Sequence, residues 1–382
     1  MHLLHPYYLV PAIIILFLSF AEVYGSKKPS PKYLIPIAIW FILVVGFRNA
    51  GPDYGSYKSI YFWYSTNSDY IEIFKKALRM DSSVDMEWLY ILINKLIFDI
   101  FQAPPFFIVT FFLALISIPL NYLNIKENSL YPYTTVLLFF FPSFFIGENG
   151  QMRQALGTII CYYSIRFIKE RKLWYYLFAI YLAMGIHNVC IFFLPMYWLA
   201  RIPINKTVMA TAIIGSMILS PFEIYNYFGS FLQDFIPNST LTTGFNNYIN
   251  MDIDTGERLA GAFGIPEGNA LLSTVLLFTF DTDMKQKYPY YEYMRNFCVL
   301  GLCFFFIFRG SVVFSSRLTG IFFTATGYLM PYAMYSANNM NKKLVHTIII
   351  CYCLFNFIVF SSFQTIVRGR FTIDTYTNFL LP

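Results

Sequence analysis

The chain has 382 residues and a net charge of +6, and it is far more apolar than a soluble domain. Charged residues make up only 13% of it, whereas soluble domains carry about 25%. Hydrophobic residues make up 57% and aromatic residues 21%. These values exclude an ordinary soluble protein and predict a polytopic α-helical membrane protein. No basic run interleaved with aromatic residues is present, so we expect no nucleic-acid partner.

Apolar runs between polar loops predict about twelve membrane spans in one all-α domain that covers residues 1–382. The predicted spans are 6–24, 33–48, 105–123, 131–147, 153–168, 173–186, 188–200, 206–220, 268–281, 296–310, 316–335 and 343–363. Residues 86–101 also have a helical pattern, but they carry Glu87, Lys95 and Asp99. We therefore predict a re-entrant or interfacial helix there, not a further span.

Lysine and arginine in short loops set the orientation of the spans. The loops predicted to be cytoplasmic are 25–32, 168–172, 201–206, 285–295 and 342–343. This orientation places both termini outside, together with residues 49–104, which carry surface and re-entrant helices, and the long loop 221–267. The six cysteines lie in apolar stretches without metal-ligand spacing. We expect no disulfide, metal or cofactor.

Several ionisable residues fall outside this basic-loop pattern and are predicted to lie at the outer ends of helices. They are Arg48, Asp53, Glu87, Glu148, Arg153, His187, Arg309 and Arg317. Arg153 opens a helix, where it adds to the positive end of the helix dipole, so we predict an anion site there. Each residue also has a structural interpretation. In that interpretation Arg48 is an arginine at the membrane interface whose charged end reaches water, His187 is a buried core residue and Glu148 is the ion-pair partner of Arg153.

A series of short motifs runs in order along the chain. Its residues are Arg48, Gly51, Asp53, Tyr54 and Tyr57, then Glu87 and Tyr90, then Arg153 and Gln154, then His187, and more loosely Arg317. This series resembles the EpsG-like branch of the Wzy-type polysaccharide polymerases. The resemblance implies a glycosyltransferase at the outer face of the bacterial inner membrane that makes O-antigen, capsule or exopolysaccharide. Its substrate would be an oligosaccharide on undecaprenyl pyrophosphate, and a flippase and a chain-length regulator would be partners.

A sugar pyrophosphate is already activated and its leaving group departs as an anion. The site then needs cations and one base, not the carboxylate pair of a glycosidase. Guanidinium groups bind phosphate oxygens in a bidentate way. The predicted pyrophosphate ligands are Arg48, Arg153, Gln154, Arg309 and Arg317. The predicted base is Glu87, Asp53 or His187. The predicted sugar-binding rings are Tyr54, Tyr57, Trp88 and Tyr90.

Two other functions stay open from the sequence. A transporter or flippase of lipid-linked oligosaccharide would also place arginines in a cavity, although no internal repeat is visible and the charges are predicted at one face. An O-antigen ligase or acyltransferase would share the cationic outer pocket. Two carboxylate pairs, Asp252 with Asp254 in the long outer loop and Asp281 with Asp283 in a cytoplasmic loop, are not expected to hold a metal.

Overall fold

The computed structural model describes residues 4–80, 82–140, 144–145, 147–222, 265–310, 312–362 and 370–381. Within these residues the elements are α-helices and short 3-10 helices, with two isolated β-bridges and no strand. The predicted all-α class is confirmed for this part of the chain. The chain forms two compact units, which are Met1–Ile191 with Ala337–Pro382 and, separately, Phe192–Ser336.

The first unit contains ten of the described α-helices. They are α1 Pro6–Tyr24, α2 Leu34–Gly46, α3 Tyr54–Asn67, α4 Tyr70–Ala77, α5 Trp88–Ile100, α6 Phe107–Asn128, α7 Pro132–Phe139, α8 Met152–Lys169, α9 Leu173–Ile186 and α15 Asn339–Ser362. The second unit contains five of the described α-helices. They are the short α10 Met196–Leu199, α11 Lys206–Leu219, α12 Ile265–Lys287, α13 Tyr291–Ile307 and α14 Val312–Ser336, which lie between α9 and α15 in the chain.

Large apolar side chains lie on the outside of these helices, as they do in a protein surrounded by hydrocarbon. Trp174 is 80% exposed and Phe178 is 61% exposed, whereas Arg48 and Arg295 are 1% and 0% exposed. Among the described helices, α1 and α6 are both long and apolar enough to cross a membrane, and α2, α9 and α11 are apolar but shorter. The number of about twelve spans stays a prediction.

The predicted outer segment 49–104 contains three helices with their own apolar core. Tyr61 of α3, Ile73 of α4 and Ile91 of α5 are fully buried in one cluster that also includes residues of α6 and α8. The charged residues of α5, which made its sequence unlike a membrane span, form an ion pair within α5 and a hydrogen bond to α3. Lys95 pairs with Asp99 at 3.2 Å and donates to the carbonyl of Ser65 at 2.9 Å. This core fixes the start of α5, where Glu87 lies, against the start of α8.

The predicted span 188–200 corresponds to the apolar segment Asn188–Leu199, which is shorter than a straight span and is broken. It is a 3-10 helix, Asn188–Phe193, followed by α10, with Pro195 at the junction. Proline lacks an N–H group and cannot continue a helix hydrogen-bond ladder. The predicted cytoplasmic loop that holds Arg295 is also shorter than expected. Arg295 lies inside α13 and binds Asp281 of α12 at 3.1 Å, so neither residue is in a loop. This ion pair allows a fully buried arginine.

Candidate functional site

The first unit brings Arg153 and Glu87 together as a buried ion pair, although 66 residues separate them in the chain. The guanidinium Nη1 donates to Glu87 Oε2, and the side chains are 15% and 9% exposed. Arg153 is the second residue of α8, and Glu87 directly precedes α5. The start of α8 has no acidic residue in its first turn and no side-chain cap. The Glu87 carboxylate is therefore the negative charge at this helix end.

A backbone donor completes the surroundings of Glu87. Its Oε1 accepts a hydrogen bond from the N–H of Asn188 at 3.2 Å. Each carboxylate oxygen thus has a partner, and neither partner belongs to the helix that Glu87 precedes. Asn188 was not among the predicted site residues, because a backbone N–H group leaves no mark in the side-chain pattern.

Two tyrosine rings lie against the Arg153 guanidinium. Its central carbon is 5.5 Å from the ring centre of Tyr57 and 5.3 Å from that of Tyr90. Tyr57 is 5% exposed and Tyr90 is fully buried. The rings therefore stabilise the Arg153 cation by cation–π attraction. Trp88 packs on Tyr181 of α9, with ring centres 5.3 Å apart. Of the four predicted sugar-binding rings, Tyr54 is the one at the start of α3 and packs edge-on against Phe106.

The other two base candidates lie in different settings. His187 is 5% exposed, and its Nδ1 accepts the N–H of Val189 at 3.3 Å. The Nδ1 atom of His187 is thus engaged with the backbone two residues further along the chain. Asp53 is exposed, takes a left-handed backbone conformation with φ of 60°, and makes no side-chain cap on α3. Asp53 directly precedes α3, and the hydrogen bond from the Tyr57 N–H to the Asp53 carbonyl joins their backbones at 2.9 Å.

Arg48 lies just after α2 in the same unit and is 1% exposed. Its Nη1 donates to the carbonyl of Val45 at 2.7 Å, while Nε and Nη2 are buried without a hydrogen-bond partner. Arg48 also lines a cavity that has room for about one water molecule. Buried guanidinium nitrogens without partners are costly, and an anion would satisfy them.

Glu148 lines the same cavity and does not pair with Arg153, so the structural interpretation of Glu148 as the ion pair of Arg153 is wrong. Glu87 occupies that place because the core of α3, α4 and α5 holds it against α8. Glu148 instead accepts from Asn121 Nδ2 at 3.2 Å. It lies in the turn before α8, and burial raises the pKa of its carboxyl group to about 7.

The remaining predicted residues are distributed as follows. Gln154 follows Arg153 in α8 and is 9% exposed. Arg309 and Arg317 belong to the second unit, where Arg309 Nε lies 3.2 Å from Glu267 Oε1. Asp252 and Asp254 lie outside the described residues. Within the described part of the chain, no group of three or more histidine, cysteine, aspartate or glutamate residues is arranged to hold a metal ion.

Comparison with known families connects this geometry to one of them. The EpsG family model matches residues 32–376, which is most of the chain and includes Arg48, Glu87 and Arg153. No curated protein and no solved structure matches the chain. The match agrees with the apolar helices in indicating a membrane protein of polysaccharide synthesis. The chain belongs to the EpsG family, a family of Wzy-like polysaccharide polymerases.

Proposed function

We propose that this protein joins oligosaccharide repeat units that are carried on undecaprenyl pyrophosphate, at the outer face of the bacterial inner membrane. The growing chain leaves its lipid carrier and is transferred to a hydroxyl of a new lipid-linked unit. The products would be an exopolysaccharide, a capsule or an O-antigen. The family supports polymer synthesis, and the arginine sites support an anionic leaving group.

The observation that carries the proposal is the arrangement around Arg153. An arginine at the start of an 18-residue helix combines a full positive charge with the partial charge of the helix end. Two tyrosine rings support the cation, and a backbone N–H points at the same carboxylate that the arginine binds. These groups together suit a doubly charged pyrophosphate, which would share or replace Glu87 as the partner of Arg153.

Asp53 is the proposed base. Both oxygens of Glu87 are engaged, and His187 Nδ1 accepts the N–H of Val189. The Asp53 carboxylate makes no cap and is exposed at the start of α3, the helix that carries Tyr57. In the reaction, the acceptor hydroxyl forms a new bond to the anomeric carbon. Its proton passes to Asp53, and the bond to the pyrophosphate oxygen breaks with its electron pair on the leaving group.

The test is incubation of the purified protein with an undecaprenyl-pyrophosphate oligosaccharide. A ladder of products separated by one repeat unit supports the polymerase. Transfer of a single unit to another acceptor would favour a ligase, and movement across a vesicle membrane without bond formation would favour a flippase. Both results would contradict the proposal.

The base is tested with Asp53→Asn, which keeps a side chain that tolerates the left-handed conformation. We expect at least a hundredfold loss of ladder formation with inhibition by inorganic pyrophosphate unchanged. Asp69→Asn is the matched control, because Asp69 is also exposed, also precedes a helix and also makes no side-chain cap. Equal activity of the two variants would remove Asp53 from the reaction.

A further inference from the structure

The end of α2 is closed by side chains from three different parts of the chain. The last four carbonyl groups of a helix have no partner within it, and leaving them bare is costly in membrane surroundings. In α2 the carbonyl of Leu43 accepts the N–H of Phe47, and the carbonyls of residues 44–46 need other partners. Arg48 Nη1 donates to Val45, and Thr110 Oγ1 donates to Gly46. The Val44 carbonyl accepts from Tyr376 and Asn378, which are close to the C-terminus.

Residues 370–381, here called the C-terminal segment, follow the backbone around Arg48. The N–H of Phe379 donates to the carbonyl of Phe47 at 2.8 Å, and the N–H of Asn49 donates to the carbonyl of Thr377 at 3.1 Å. Asn378 and Arg48 therefore form an antiparallel bridge. The Tyr376 hydroxyl donates to Val44 at 2.8 Å and Asn378 Nδ2 donates to it at 3.1 Å. The residues on both sides of Arg48 are thus bonded to this segment.

On its other side, Arg48 is confined by Gly51. This glycine has a φ of 145°, and a Cβ atom on it would lie 2.3 Å from the carbonyl oxygen of Asn149 and 3.4 Å from Arg48 Nε. The backbone at Gly51 thus lies close to the Arg48 guanidinium, and a residue larger than glycine does not fit at this position. With Nη1 bound to Val45, Nε and Nη2 have no hydrogen-bond partner, and Arg48 lines the cavity together with Thr110 and Ser117.

We propose that Tyr376 and Asn378 are positioning residues that hold Arg48 so that Nε and Nη2 can bind one oxygen of the lipid pyrophosphate, in the cavity beside Arg48 that has room for about one water molecule. This inference rests on the proposed function. Tyr376 and Asn378 donate to the Val44 carbonyl, so Arg48 needs to donate only to the carbonyl of Val45. The backbone of the neighbouring residues Thr377 and Phe379 bonds the backbone on either side of Arg48 and fixes where its side chain starts. The C-terminal segment acts through Arg48 and need not touch the substrate.

The experiment measures binding of inorganic pyrophosphate by thermal shift on the purified full-length protein, and polymerisation in parallel. We expect Asn378→Ala to weaken pyrophosphate binding about five- to tenfold, as loss of one or two oriented hydrogen bonds does. Tyr376→Phe should have a smaller effect, because Asn378 still covers Val44. Thr377→Ala is the matched control, since its exposed side chain lies between the two residues and its backbone bond is retained.

A double-mutant cycle separates positioning from general loss of structure. In an Arg48→Gln background, Asn378→Ala should cause no further loss of pyrophosphate binding. An equal loss in both backgrounds, or unchanged binding in Asn378→Ala alone, overturns the inference. Because the binding readout does not require activity, a wild-type protein that binds pyrophosphate but makes no ladder would overturn the proposed function and leave this inference standing.

Discussion

The Arg153–Glu87 pair offers the sharpest test of the site, through the variants Glu87→Gln and Arg153→Gln. Both side chains are at most 15% exposed, and breaking a buried ion pair by removing one partner costs about 3–5 kcal/mol. In Glu87→Gln the rings of Tyr57 and Tyr90 still stabilise the cation, by about 0.5–2 kcal/mol each. The lower end of the range is therefore expected, about 3 kcal/mol, for Glu87→Gln.

The assay is thermal unfolding of the purified protein in detergent at one pH and salt concentration, with and without inorganic pyrophosphate. The double variant should lose less stability than the sum of the single variants, because both remove the same interaction. Glu170→Gln is the control, since Glu170 follows the other end of α8, pairs with Lys172 with both side chains about half exposed, and should matter little.

Pyrophosphate should raise the unfolding temperature of Glu87→Gln more than that of the wild type. The variant leaves a cationic site without its carboxylate, and a ligand that binds the folded state stabilises it. Arg153→Gln should lose the pyrophosphate effect. Additive losses in the double variant would refute the ion pair. A pyrophosphate shift in Glu87→Gln no larger than in the wild type would refute the view that Glu87 occupies the anion site.

Three further predictions concern the surrounding structure. The pKa of Glu148 rises from 4.5 to about 7, so this carboxyl should contribute at most about 3 kcal/mol of stability that is lost as the pH rises from 4.5 to 7; Glu148→Gln should make the slope of pH-dependent unfolding shallower, and a slope as steep as that of the wild type contradicts the assignment. Gly185→Ala should cost about 1–3 kcal/mol, because its Cβ would lie 2.8 Å from Trp88, whereas Gly215→Ala, with open space around it, should be neutral or stabilising in the same measurement. Asn296→Ala should cost about 1–3 kcal/mol in thermal unfolding, because Asn296 Nδ2 lies within 3.1 Å of the carbonyls of Leu199, Ala200 and Ile202; unchanged stability would mean that water replaces it.

The helices that follow directly from apolar runs could be predicted from the sequence. The bounds of α1 and α9 agree with the predicted spans 6–24 and 173–186, because each run ends at a glycine or histidine that breaks the pattern. The helix α3 was not predicted, since its sequence is polar and aromatic without a clear period. Its stability comes from tertiary burial of Tyr57 and Tyr61, which no local pattern contains.

The candidate site could be predicted only in part, and for a similar reason. Motif order linked Glu87, Arg153, Tyr57 and Tyr90, and the structure brings all four together. The partners that complete the site were missed. The N–H of Asn188 is a backbone group, and Asn378 lies 330 residues after Arg48, with which it forms a bridge. Interactions of this kind depend on chain folding over long separations, and the residues that make them have ordinary surroundings in the sequence.

Arg48 follows the C-terminal end of α2, which is capped, and Arg153 lies at the N-terminal end of α8, which is not capped. The end of α2 is closed by Tyr376, Asn378 and Thr110, whereas the start of α8 has no cap, because Gln151 makes none. Gln151→Asn should supply a neutral cap and stabilise the fold by about 1 kcal/mol. Gln151→Asp should stabilise it similarly but weaken pyrophosphate binding several-fold, because it adds a negative charge where the ligand would lie. The pair of variants separates capping from charge in one thermal-shift experiment. If both variants bind pyrophosphate as the wild type does, the start of α8 is not where the anion binds, and the arginine at that end serves the fold alone.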